Sequence, residues 1–288
     1  MTEICESVAF ALAGKDDNGC PFCPGEETKH DYISYGGAKN DVDNLRWNMS
    51  KPSHKRELEK EAKTLEKSSG YPEAIKSPVN NSGYKKKSSV QGKLAYENKE
   101  HGIYGYEAHH CISGNEILKD HPLDKIIMNK GNKYKGQTGY TINNAKNGVY
   151  LPSYPRKYYG KWEDMDSVEK YNIMALAMEA GEGQAHIGCH TGHKSDGGKD
   201  YPSMIQEELK AISDRVAKKS DECPFCVDND GKADKPFIPP YKINLWLDVL
   251  SQDIESELTG AVATWPYFIS RYAKDYYNNK IASKSKTV

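Results

Sequence analysis

Nine histidines and seven cysteines are the residues of this 288-residue chain best suited to metal or acid–base chemistry, and they are unevenly spaced. Imidazole is a base near neutral pH and, with thiolate, a common ligand of zinc. His109 and His110 are adjacent in "YGYEAHHCI"; His190 and His193 stand three apart in "HTGH". One helical turn or tight loop could aim the second pair at one ion. Four cysteines form two identical tetrads, Cys20-Pro-Phe-Cys23 and Cys223-Pro-Phe-Cys226. Each tetrad can supply two thiolates from a tight knuckle, and together they suggest one four-thiolate structural zinc site. The competing use is redox, which needs the first cysteine at a helix N-terminus. Here Pro-Gly follows Cys23 and Val-Asp-Asn-Asp-Gly follows Cys226, both turn sequences. The tetrads are about 200 residues apart, so a shared ion would remove much chain entropy. Cys5, Cys111 and Cys189 are expected to be buried small hydrophobes.

These residues need elements to hold them. "YGYEA" is rich in aromatic residues and is expected to be a strand, with His109 and His110 at its end and on opposite faces. Glu107 shares the His109 side, where its carboxylate could orient an imidazole. Further on, Asn147-Gly-Val-Tyr-Leu-Pro152 is expected to be a turn entering a second short strand. A helix is expected over "SVEKYNIMALAMEAG", and another where Met204, Ile205, Leu209, Ile212 and Val216 recur at helical spacing. Two histidines at a strand end, an asparagine before a second strand and two histidines beside a helix describe a strand-strand-helix metal finger. His121 and His186 are assigned ordinary roles in loops or strands.

Ala108-His109-His110, then Ile142-Asn143-Asn144 leading to Asn147-Gly148-Val149-Tyr150-Leu151-Pro152, then His190, Gly192, His193 and Tyr201 occur in that order. In these residues the sequence resembles the AHH branch of the HNH, or ββα-metal, nuclease superfamily, a group that includes bacterial DNase toxins. The sequence departs from the usual family pattern in the long insertion before His190 and in "KSDGG" between His193 and Tyr201. The resemblance implies a ββα-metal core, and with the helical additions and the separate four-cysteine zinc knuckle read from the residues the expected fold class is α+β. The resemblance further implies His110 as general base, His109, His190 and His193 as metal ligands, and Asn147 holding the second strand or orienting the base. The active-site cation would be zinc, nickel, manganese or magnesium, although imidazole ligands suit the first three better. Phosphodiester hydrolysis needs an activated water and a cation to stabilise charge on the phosphate and departing oxygen.

Composition bounds the rest. The hydrophobic fraction of 37% is below the usual ~45–50% counted with glycine, which suggests one main core with polar extensions. Lysine plus arginine (40) and aspartate plus glutamate (41) nearly cancel, excluding a strongly basic coat protein for nucleic acid. Four regions are expected: 1–35, a short helix and the first knuckle half; 36–100, a polar lysine-rich extension with a helix from Ser53; 101–219, the nuclease core; and 220–288, the second knuckle half and a helical tail. In the extension, Lys85, Lys86 and Lys87 are a solvated run or a phosphate contact. In the tail, Trp246, Val249, Leu250, Ile254 and Leu258 share one helical face, and a last helix is expected around Tyr267 to Tyr277. No membrane-spanning stretch and no classical signal peptide are expected.

With the resemblance, the expected activity is metal-dependent cleavage of DNA, with RNA as the open alternative, by an antibacterial toxin of the type VI effector kind. The expectation is a chain cytoplasmic in its producer, paired with an immunity protein there, and passed to a target cell through a secretion apparatus. The alternative is a zinc-stabilised, non-catalytic nucleic-acid-binding or scaffold protein. For the tetrads, Cys20→Ser should lower both bound zinc and melting temperature; metal analysis with a thermal melt checks this, and no change in either rejects the four-thiolate site.

Overall fold

Short strands and longer helices make up the computed structural model, which describes residues 21–22, 37, 39–49, 96–98, 100–131, 134, 136–181, 183–195, 197–222 and 239–285. Cys20, Cys23, Cys223, Cys226 and Cys5 lie outside the described residues, as do the expected N-terminal helix, the helix from Ser53 and Lys85 to Lys87. The fold is α+β. In chain order come α1 (Val42–Met49), β1 (Tyr96–Asn98), β2 (Gly102–Tyr104), β3 (Tyr106–His110), α2 (Pro122–Ile127), β4 (Gly148–Pro152), α3 (Ser167–Gly181), α4 (Tyr201–Glu222), α5 (Lys242–Thr259) and α6 (Arg271–Ser285). There are two two-stranded sheets among them, β1 with β2 and β3 with β4. The first is antiparallel, with Tyr96 opposite Tyr104 and Asn98 opposite Gly102. The second is bracketed by Ser153 N–H to Gly105 O and Cys111 N–H to Asn147 O, both 2.9 Å, so the start of β3 meets the end of β4.

The chain divides into two compact units. The first takes in His110–Asn147 and Pro202–Ile254, with Leu45 and the described residues before it. Its core draws on the expected stripe of α4: Ile205, Leu209, Ile212 and Val216 are fully buried, each worth about 1.5–3 kcal/mol of transfer from water. On α5, Ile243, Trp246, Leu247, Leu250 and Ile254 are likewise buried. Polar groups in this unit are buried too, and Asn147 is the most fully paired of those at the strand ends. Asn147 is fully buried. Its Oδ1 accepts from Ile112 N–H (2.8 Å) and Ser251 Oγ–H (3.0 Å), and its Nδ2 donates to the carbonyls of Ile112 (3.0 Å) and Ile142 (2.7 Å). One amide thus ties the exit of β3 to the entry of β4.

The second unit contains Gly148–Tyr201, the described residues from Glu255 onward, and β1, β2 and β3 as far as His109. Its core joins Tyr104, Trp162, Ile173, Met174, Ala177, Met178, Ala185, Trp265, Phe268, Ala273 and Tyr276. Here α3 packs against α6. The last helix begins at Arg271, four residues after the Tyr267 expected from sequence. The reason is tertiary: Gln184 Nε2 donates to Tyr267 O (2.8 Å), its Oε1 accepts from Ile269 N–H (3.0 Å), and Ser270 Oγ accepts from Ala273 N–H (3.2 Å) as a cap. Backbone groups committed to Gln184 cannot also join a helical ladder.

The short helix α2 generates a prediction. Its N-cap is His121, whose Nδ1 accepts from Leu123 N–H at 3.1 Å. Burial holds this imidazole below its ordinary range, aided by Lys210 and opposed by a backbone hydrogen bond with Gln206 and by Asp214. The unfolded chain therefore takes up this proton at higher pH than the folded chain, so the contribution is complete above about pH 6.5 and is lost as pH falls from there. Comparing thermal melts of wild type and His121→Asn from pH 8 to 5 should show a shallower acid-side loss for the variant, since asparagine keeps an acceptor that does not titrate.

Candidate metal centre

Three imidazoles converge in the second unit. β3 has a period of two, so Glu107 and His109 share one face, while the segment after α3 runs beside β4, with His186 N–H donating to Pro152 O at 2.8 Å. That segment is held in place by Gln184, whose N–H donates to Leu258 O (2.9 Å), and by Ser270 Oγ–H to Ala185 O (2.8 Å). The loop then turns at Gly188 (φ +83°) and Gly192 (φ +80°), left-handed positions on either side of His190. Ring centroids are 4.9 Å apart for His109–His186, 4.9 Å for His109–His190 and 5.5 Å for His186–His190. One ligand nitrogen from each lies within 4.8 Å of the other two, and the group could hold a metal ion. A tetrahedral ion with bonds of ~2.0–2.1 Å would hold its ligands roughly 3.4 Å apart, so closure about the ion requires only small side-chain adjustments.

The surroundings fit a cation. Glu107 Oε2 lies 3.6 Å from His186 Nδ1, a carboxylate behind an imidazole in the manner that fixes ring orientation and raises ligand basicity. His186 Nδ1 is buried and beyond hydrogen-bond reach of any partner. Burial pushes the Glu107 carboxyl up, but the His186 imidazole, Arg46 and the Tyr159 hydroxyl (3.3 Å from Oε1) outweigh it and hold the group below its ordinary range. His109 is 2% exposed, and its Nε2 lies 3.3 Å from the hydroxyl of the fully buried Tyr201.

Of the residues singled out in the sequence, His109 and His190 belong to this group and His193 does not. His193 is only partly buried, with Nε2 2.9 Å from Cys189 O. Glu107 faces His186, a residue whose sequence context suggests only an ordinary role. The four-residue spacing of His186 and His190 was the available signal, of the same kind as that used for His190 and His193. Cys111 is buried as expected, whereas Cys189 is exposed: it sits between Gly188 and His190 on the loop, and Sγ meets Thr191 Oγ1 at 2.7 Å.

His110 belongs to the first unit, where Nε2 lies 2.9 Å from Asn143 Oδ1. The Asn143 amide is oriented by bonds of its own: Nδ2 donates to Lys39 O (2.9 Å) and Oδ1 accepts from Asp41 N–H (2.9 Å). An acceptor therefore faces His110, so Nε2 carries the proton and Nδ1 is the basic nitrogen of the neutral ring. Asn147 bonds backbone and Ser251, and Asn143 is the residue that orients His110. Neither a family model, nor a curated protein, nor a solved structure matches the chain. Among the described residues no helix is long and apolar enough to cross a membrane.

Metal titration of the purified chain should find zinc affinity at this group abolished by His186→Ala and reduced roughly 10–100-fold by Glu107→Gln, the usual cost of losing a carboxylate behind a ligand. His193→Ala should leave it unchanged. Equal affinity in wild type and His186→Ala would reject the assignment.

Proposed function

We propose that the chain is a metal-dependent endonuclease that hydrolyses phosphodiester bonds in DNA. The observation that carries this reading is the meeting of His109, from the end of β3, with His190 and His186 from the loop before α4, backed by Glu107. A ββα-metal finger needs imidazoles delivered by a strand end and by the approach to a helix, and β3, β4 and α4 are the elements proposed for it. Three imidazoles suit zinc, nickel or manganese better than magnesium. When bound, the ion supplies positive charge to the phosphate and the departing oxygen.

The chain's own residues supply the rest. His109, His186 and His190 hold the ion, and Glu107 orients His186. His110, next in the chain to His109, is the proposed base, a role carried over from the resemblance. Asn143 keeps the proton on Nε2, so Nδ1 can take a proton from the attacking water. Asn147 is proposed to act by holding the β3 exit and β4 entry together rather than by touching substrate. Use as an antibacterial toxin, an immunity partner and passage between cells by a secretion apparatus belong to the same proposal and rest on the resemblance alone.

The test is incubation of purified protein with plasmid DNA, and in parallel with RNA, in the presence of each divalent ion in turn. Wild type should nick or linearise DNA with at least one ion, and His110→Ala should be slower by roughly 10²–10⁴-fold, the usual contribution of a positioned base. Equal rates would remove His110 from the reaction. No cleavage of either nucleic acid with any ion would leave the non-catalytic zinc scaffold.

A further inference from the structure

We propose that the hydroxyl of Tyr201 is the fourth protein ligand of the ion held by His109, His186 and His190. The inference rests on the metal-binding part of the preceding reading and is independent of whether the site hydrolyses anything.

Tyr201 is fully buried, and its ring lies 5.8 Å from that of His109 and 6.3 Å from that of His190. Its oxygen is 3.3 Å from His109 Nε2. A hydrogen bond between nitrogen and oxygen usually spans ~2.7–3.2 Å, so this one is long. Two ligands of one tetrahedral ion, each bonded at ~2.0–2.1 Å, stand roughly 3.4 Å apart. This long hydrogen bond thus already holds the two atoms at the separation that one shared ion requires.

The position is also rigid and electrostatically suited. Tyr201 is the first residue of the 22-residue helix α4, and its ring packs on Tyr267 at 5.0 Å. On ligation the phenol O–H bond breaks, the oxygen–metal bond forms and the proton leaves to solvent. Three neutral imidazoles leave a divalent ion with both charges in a partly buried site, and a phenolate cancels one of them, reducing the cost of burial. The other nearby donors are engaged elsewhere: His193 Nε2 lies against Cys189 O and the Cys189 thiol against Thr191.

Iron(III) is the probe, because phenolate bound to it gives a visible charge-transfer band whose resonance Raman spectrum carries tyrosinate ring modes, distinct from those of any thiolate site in the same chain. The iron-loaded full chain should show these modes, Tyr201→Phe should lose them, and His193→Ala should keep them. Phenylalanine preserves the buried ring, and a thermal melt checks that the variant is folded. In parallel, zinc affinity at this cluster, defined by the difference between wild type and His186→Ala, should fall at least roughly tenfold in Tyr201→Phe. Tyrosinate modes that survive Tyr201→Phe, their absence from the iron-loaded wild type, an unchanged zinc affinity, or a wild type that binds neither metal each overturn the proposal. Tyrosinate modes without cleavage would instead uphold this ligand and reject the nuclease, and cleavage without them would do the reverse.

Discussion

The pairing of β3 with β4 is the constraint on which the candidate centre depends. Bonds at both ends, Ser153 to Gly105 and Cys111 to Asn147, fix its register. A strand's side chains alternate with period two, so a slip of one residue would carry Glu107 and His109 to the opposite face and bring Ala108 and His110 in their place. The cluster would lose its most buried imidazole and its carboxylate at once. The next segment depends on the same pair, because His186 N–H bonds to Pro152 at the end of β4.

Three buried amides enforce that arrangement. Asn147 joins the two strand ends, Gln184 positions the residues just before His186, and Asn143 orients His110. Hydrophobic burial could not do this work, since apolar contact is non-directional and would tolerate a shifted register. A buried amide left without its partners costs about 1–3 kcal/mol per group, so each of these residues penalises the shifted alternatives. The aliphatic stripes of α4 and α5 stabilise the first unit, the cluster around Trp162 and Phe268 stabilises the second, and the amides give the loops their geometry.

This division explains what was legible in the sequence. The stripe on α4, the helix over Ser167–Gly181 and the turn-strand at Asn147 are local patterns with local causes, and they appear where expected. The late start of α6 was not legible, because bonds from Gln184, far away in the chain, occupy the backbone of Tyr267 and Ile269. The site was half legible for a similar reason. His109 and His190 stood out through their neighbours, but whether His186 or His193 accompanies them depends on how the Gly188 to Gly192 turns aim the loop. The spacing of the three histidines is compatible with either. Glu107 was legible as a supporting carboxylate from strand alternation alone, although the imidazole it faces was not.

The donor set constrains the chemistry proposed for it. Three imidazoles leave a tetrahedral ion one open position, as catalytic sites require, whereas three imidazoles and a phenolate close it, as structural sites do. If Tyr201 is a ligand, a hydrolytic site must either hold an ion that accepts more than four donors or release Tyr201 when substrate arrives. Nickel and manganese meet the first condition, and zinc can expand to five-coordination in the transition state. Release would have to swing the whole ring, because the hydroxyl lies on the ring axis, and would disturb the packing on Tyr267, so the first condition is the less costly. Under either condition the resting ion is shielded from adventitious reaction until a phosphate competes for it. The same tyrosine that completes the site would then set the threshold a substrate has to exceed.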